Sequence, residues 1–205
     1  MSVLAKFPPL TTLLLALLLS SCASMRSVME WRDDSFSGQI DSLLVIAASN
    51  DGAIRRSTED GYRARFEAMG LSAIVGYSLL DESVELTRES VEAALVDTEV
   101  DAVLVTRLLG LDEFEQYQPP TTHYYYRSYP RYYGHSMAVT TPGYYRRFKL
   151  LTLETNVYDR NSGKLLWSMQ SETIDPEAAQ DVIDDQIELT ARRLSASGLL
   201  AEGAQ

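Results

Sequence analysis

Cysteine is almost absent, Cys22 being the only one in 205 residues. An intramolecular disulfide is excluded, so the fold has to stand on its apolar core. Histidine is nearly as scarce, with His123 and His135 alone, and a zinc site normally wants three or four side-chain ligands. Basic charge is in deficit: 18 Lys and Arg face 29 Asp and Glu, a formal net charge of −11. Such a chain repels phosphate backbones, which argues against nucleic-acid partners. Catalytic signatures are missing too. Gly76-Tyr77-Ser78 lacks the second glycine of a nucleophile elbow. Arg160-Asn161-Ser162-Gly163-Lys164-Leu165 has neither the earlier glycine nor the closing Ser or Thr of a phosphate loop, and its glycine falls a position early for a calcium loop. Asp181, Asp184, Asp185 and Glu188 fall on the outer face of a helical stretch, where carboxylates are ordinarily solvated. The expectation is a protein that is not an enzyme and uses no cofactor and no metal.

Long apolar runs are limited to one. Leu10 to Leu19 follows the cationic Lys6, has signal-peptide length, and is too short for a permanent membrane span of roughly 20 residues. Leu19-Ser20-Ser21-Cys22 comes next. This layout resembles the lipobox of bacterial lipoproteins. The resemblance implies that residues 1–21 are a signal peptide and that Cys22 becomes the lipidated N-terminus, carrying diacylglyceryl and an amide-linked chain such as palmitate. One acyl chain holds a protein only marginally, whereas two or more hold it stably. Ala23, standing where aspartate signals inner-membrane retention, implies by the same resemblance the periplasmic face of the outer membrane. The alternative is an ordinary secretory peptide with an incidental thiol. Residues 22–38 show neither helical nor strand period and read as the lipidated N-terminus and a linker. Trp31 and Phe36 are expected to dock on the body, with the membrane interface as the second place for Trp31.

The rest alternates in type. Ser42 to Ala48, Leu71 to Tyr77 and Asp101 to Leu111 are apolar runs of strand length, as in strands covered on both faces. Between the first two, Ile54, Thr58, Tyr62, Phe66 and Met69 share one helical face, with Arg55, Arg56, Glu59, Arg63 and Glu67 opposite and Gly70 as the stop. Gly61 inside that helix points to close packing on the sheet or a bend. Thr87 is placed to cap a short helix burying Val91, Ala94 and Leu95. Phe148 to Asp159 and Lys164 to Ile174 alternate about an Asn161-Ser162-Gly163 turn and read as a hairpin. Asp175-Pro176 then reads as the cap and first position of a last helix that ends at Gly198. The predicted fold class is α/β: β-α-β-α-β, an antiparallel hairpin and a C-terminal helix, with helices packed on a mixed sheet. One domain covers 39–200, and 201–205 is a tail.

The phrase from Glu154 to Thr173, "ETNVYDRNSGKLLWSMQSET", resembles the C-terminal hairpin of outer-membrane lipoproteins that carry domains of unknown function. The strand order is similar to that of the TolB N-terminal domain, the curli-secretion lipoprotein and the lipoprotein activators of penicillin-binding proteins. That resemblance implies an envelope lipoprotein that acts by binding, and it transfers no catalytic residue.

One segment reverses the charge. From Gln116 to Leu153 there is no Asp or Glu, while Arg127, Arg131, Arg146, Arg147 and Lys149 are all positive. Nine of the twelve tyrosines lie between Tyr117 and Tyr145, interleaved with Pro119, Pro120, Pro130, Pro142, Gly134 and Gly143. Proline and glycine at this density predict a long surface loop over 112–147, with part of it pairing as a ragged ribbon. His123 and His135 offer a metal no third ligand. Two readings stay open: a low-complexity insert, or a recognition surface of Tyr124, Tyr125, Tyr126, Arg127, Tyr129, Arg131, Tyr132 and Tyr133, since tyrosine and arginine make rigid, amphipathic contact area. The partners this suggests are an envelope protein, peptidoglycan or anionic lipid. Three functions follow in order: a binding or assembly module of the envelope, a self-associating structural subunit forming homo-oligomers, and a cell-wall enzyme.

Overall fold

A computed structural model describes residues 25–80, 87–96, 98–126 and 136–200; Cys22 and the stretch read as a signal peptide lie outside them. The chain order is β1 (Arg26–Arg32), β2 (Ser42–Ala48), α1 (Gly52–Ala68), β3 (Ser72–Val75), a 3-10 turn (Gly76–Ser78), α2 (Arg88–Ala94), β4 (Ala102–Gln118), β5 (Thr121–Tyr126), β6 (Ser136–Thr141), β7 (Tyr144–Asp159), β8 (Leu165–Ile174) and α3 (Ala179–Ala196). The first six-stranded sheet runs β1-β8-β7-β4-β2-β3, and β5-β6 form a separate pair. Strands β2, β3 and β4 are parallel; β4, β7, β8 and β1 are successively antiparallel. The fold is the mixed α/β class expected.

Strand β2 is apolar on both faces because both are covered. Leu43 and Val45 enter the larger core with Tyr62 and Phe66 of α1 and Ile187 and Leu194 of α3. Leu44 and Ile46 enter a smaller core with Leu80, Leu95 and Val103, against which Val91 and Ala94 of α2 pack. Helices α1 and α3 thus share one face, and the short α2 packs on the other, over β2, β3 and β4. Gly61 serves helix contact rather than the sheet: a Cβ there would stand 2.5 Å from Ile187 Cδ1 of α3. Gly70 and Gly198 end α1 and α3 at positive φ, as their positions suggested. Thr87 caps α2 with a reciprocal bond to Ser90.

Several expectations are corrected. The stretch read as a linker holds β1, an edge strand on β8, with Met25 buried at its start. Nearly all of its side chains are exposed, so this edge strand shows no apolar alternation. Phe36 packs on the core as expected, but Trp31 is half-exposed. Asp175-Pro176 does not open the last helix, which begins at Ala179 behind Ala178 and has no side-chain cap. Asp175 instead turns the chain just after β8, at φ 49, and its carboxylate accepts from the Lys149 amide at 2.8 Å.

The helical wheel of α1 also misplaces two charges. Ile54 is exposed, whereas Arg55 and Glu59 are buried, Glu59 completely. Glu59 Oε1 accepts from Arg55 Nε at 3.1 Å and from the Ala47 amide at 3.0 Å, and Oε2 from the Tyr77 amide at 2.7 Å. Arg55 Nη2 then donates to the Leu80 carbonyl at 3.1 Å. The pair closes the carboxyl ends of β2 and β3, whose amides have run out of strand partners. Gly76 lets this happen, since a Cβ there would meet the Val45 carbonyl at 2.9 Å and Glu59 Oε1 at 3.3 Å.

A second polar network is buried between α1, α3 and the sheet. Tyr62 Oη and Thr190 Oγ1 share a bond of 3.0 Å, Gln186 Nε2 donates to Thr155 Oγ1 at 2.7 Å, and Thr155 meets Thr106 at 3.1 Å. Burial raises the Tyr62 hydroxyl above its ordinary pKa. Removing one member of a buried, hydrogen-bonded ion pair typically costs about 3–5 kcal/mol. Glu59→Ala should lower the stability of the domain by about that amount in urea unfolding at neutral pH. A loss within the noise of a surface substitution would contradict the structural role given to this pair.

Candidate functional site

The tyrosine segment does not leave the sheet as a loop. Strands β4 and β7 stay in register from Gly110 opposite Thr152 to Gln118 opposite Tyr144, whereas β8 stops at Ile174, opposite Leu150. Beyond Leu150 the two strands continue alone as a ribbon. After Pro119-Pro120 on one side and Pro142-Gly143 on the other, β5 and β6 pair from Thr121 opposite Thr141 to Tyr126 opposite Ser136. The expected loop over 112–147 is therefore a two-stranded arm in its described residues. The prolines sit opposite each other at a break between two paired stretches, so they punctuate the arm instead of preventing it.

Cross-strand pairs account for the shaft. Directly opposed side chains share a face, and opposite charges or aromatic rings at these positions stabilise a ribbon by roughly 0.2–1 kcal/mol each. Glu113 faces Lys149, Phe114 faces Phe148, Glu115 faces Arg147 and Tyr117 faces Tyr145. Phe114 and Phe148 stack with centroids 5.3 Å apart. Tyr117 and Tyr145 meet at 5.2 Å with planes tilted by 51°. Arg147 Nη2 reaches Glu115 at 3.0 Å. This complementarity was present in the sequence: Glu113-Phe114-Glu115-Gln116-Tyr117, read against Tyr145-Arg146-Arg147-Phe148-Lys149 in reverse, pairs acid with base and ring with ring. Proline density obscured it.

The two faces of the shaft differ. On the side shared with α1 and α3 lie Glu113, Glu115, Lys149 and Arg147, with Tyr117 and Tyr145 further out. On the other side lie Phe114, Phe148, Gln116, Arg146, Gln118 and Tyr144, continuing from Leu150 and the exposed Ile174 of β8. Arg146 covers the Phe148 ring at 4.7 Å and reaches Asp175 at 3.4 Å. The cations of the shaft are thus opposed by Glu113, Glu115 and Asp175. The charge reversal read from the acid-free stretch is offset by acids just outside it.

Of the residues predicted to form a recognition surface, Tyr124, Tyr125 and Tyr126 lie on β5, and Tyr124 is largely exposed. Arg127, Tyr129, Arg131, Tyr132 and Tyr133 lie outside the described residues, as do His135 and Cys22. Sequence reasoning missed Phe114, Phe148, Tyr144 and Tyr145 as part of this surface.

Elsewhere, Glu188 pairs with Arg65 at 2.7 Å, and Asp184 accepts from Gln180 at 2.8 Å. Asp181, Asp184 and Asp185 line a shallow hollow with Asp175 and Glu177 near the root of the arm. Among the described residues no group of three His, Cys, Asp or Glu side chains is arranged around a common point for a metal.

Neither a protein-family model nor a curated protein matches the sequence. Solved structures similar to the chain include a PelC dodecamer from Paraburkholderia phytofirmans, at 9% identity and a TM-score of 0.46, covering 87% of this chain and 99% of that one. Another is lipoprotein GNA1162 from Neisseria meningitidis, at 12% identity and a TM-score of 0.40, covering 76% and 98%. At such TM-scores these are partial likenesses, and no activity or partner of this chain follows from them.

Among the described residues, none between Glu113 and Lys149 belongs to either core. Replacing residues 113–149 with a two-residue Asn-Gly hairpin turn between Asp112 and Leu150 should leave a cooperatively folded domain. Its urea stability should stay within about 1 kcal/mol of the parent. Loss of the cooperative transition would show the arm to be part of the folding unit.

Proposed function

We propose that this chain is a bacterial envelope lipoprotein, lipidated at Cys22 and held on the periplasmic face of the outer membrane. It works as a non-catalytic binding or assembly module whose contact surface is the β4–β7 arm. The arm itself carries this reading. A domain does not need an exposed ribbon outside both of its cores, and an exposed aromatic patch of this kind ordinarily marks an interaction surface. Tyr117 and Tyr144 are both more than half exposed, and Tyr145 is 70% exposed. Cross-strand pairing holds these rings in place, so little conformational entropy is lost when a partner covers them.

The anchor reading rests on the lipobox-like Leu19-Ser20-Ser21-Cys22, and on β1 beginning at Arg26, directly after it. Intact-mass analysis of the protein from membranes should give an N-terminal Cys22 carrying acyl chains. Cys22→Ala should move the protein into the soluble fraction. An unmodified Cys22, or cleavage at another bond, would contradict the anchor. Cross-linking in intact envelopes tests the module: the arm-deleted chain should lose adducts that the parent forms. Identical adducts from both chains would remove the arm from the function.

A further inference from the structure

We infer that the helix-free face of the arm, carrying Phe114, Phe148, Gln116 and Tyr144, rests in the head-group interface of the bilayer to which Cys22 is tethered. The inference rests on lipidation at Cys22 as proposed above, and it names the partner of the same arm.

The argument begins with direction. Strands β1 and β7 are both antiparallel to β8 and so run the same way. Arg26, the first residue of β1, lies opposite Glu172; Glu172 lies opposite Thr152, and Thr152 opposite Gly110. The chain therefore enters the sheet at the root of the arm. Followed backwards, β1 and β7 head toward the same end of the sheet.

Length then decides. From Arg26 back to Cys22 the chain has four residues to spend, at most about 3.6 Å each, or about 14 Å. Burial of Met25 removes part of that slack. From Gly110 to Gln118 the paired shaft advances eight residues at about 3.3 Å each, or about 26 Å, before β5 and β6 extend it. A leash shorter than the shaft cannot hold the domain clear of the bilayer with the arm pointing at it. The arm either enters the interface or tilts to lie along it.

The two faces of the shaft choose the side. One keeps its ions in water, Glu115 with Arg147 and Glu113 opposite Lys149. The other presents rings and amides around a single ion pair, Arg146 over Phe148 and bonded to Asp175, with Ile174 at its base. Met29 and Trp31 of β1 point the same way, opposite Gln170 and Ser168, and both are exposed. Among the described residues no helix covers this part of the sheet, since α2 packs over β2, β3 and β4. Tyr144 and Trp31, rings with polar tips, are the kind of side chain that settles at head-group level, and Phe114 adds exposed apolar area beside them. Because the cations of the shaft already face acids, the contact depends on rings rather than charge.

Cys22 is the only cysteine, so in the lipidated protein an introduced thiol is the only free one. Gln116→Cys and, on the outer side of α1, Glu67→Cys would each carry an environment-sensitive fluorophore in phosphatidylcholine vesicles. Emission from position 116 should shift to the blue and be lost when the phospholipid is brominated, whereas emission from position 67 should do neither. Adding phosphatidylglycerol should change neither result, and Phe114→Ser with Tyr144→Ser should restore emission at 116. If the mass shows acylated Cys22 while 116 behaves like 67, the membrane contact is wrong and the anchor stands. A blue shift at 116 that bromination does not quench would mean that protein covers this face, which also overturns the inference. If Cys22 carries no lipid, the anchor reading falls and this one with it.

Discussion

The structure depends on one long pairing, that of β4 with β7. In its first half, Leu104 opposite Val157 and Thr106 opposite Thr155 lie in the buried sheet under α1 and α3. Beyond Leu150, where β8 ends, the same ladder runs into solvent with no third strand or helix among the described residues. The core fixes the direction of the ladder, and the cross-strand pairs carry that direction outward. A rigid surface is built at the end of a lever whose fulcrum is the hydrophobic core. The bulge between Leu108 and Gly110 falls where the two regimes meet, a place where a bulge commonly bends a strand.

The ends of the parallel strands are held differently. Where β2 and β3 run out, Glu59 supplies the acceptors their amides need, and Arg55 neutralises it out of reach of water. A buried pair like this gains little net stability over apolar packing, but it penalises any arrangement that leaves one member alone. Together with the network of Tyr62, Thr190, Gln186, Thr155 and Thr106, it specifies how α1 and α3 seat on the sheet. The helices then occupy one face, which leaves most of the other face of β7, β8 and β1 open beside the arm.

Local signals were legible in the sequence and tertiary ones were not. The apolar runs of β2 and β4, the Thr87 cap, the glycine stops and the Asp159-to-Gly163 turn all state their geometry within a few residues. That turn closes as its residues suggest: Ser162 donates amide and hydroxyl to Asp159, and the Ser162 hydroxyl is the main cause of that carboxyl's lowered pKa. Strand β1 was invisible because what holds it lies some 140 positions away in register: the backbone of β8, Glu172 beside Arg26, and Trp167 donating to Glu30. Arg55 and Glu59 were assigned to solvent because periodicity sees faces of a helix and not the unpaired amides beyond its end. The arm was half legible: its rings were noticed, but its order lay in a complementarity between segments some thirty residues apart.

The central claim is that the tyrosine-rich segment is an ordered ribbon continuing the sheet. Amide hydrogen exchange of the domain tests this most directly. Amides of residues 111–118 and 144–151 that point across the ribbon should be protected in an alternating pattern, less strongly than those of β2 and β7 in the core but clearly above a free chain. Uniform exchange at the free-chain rate through both segments would mean that the arm is a loop, and the account would fail at its foundation.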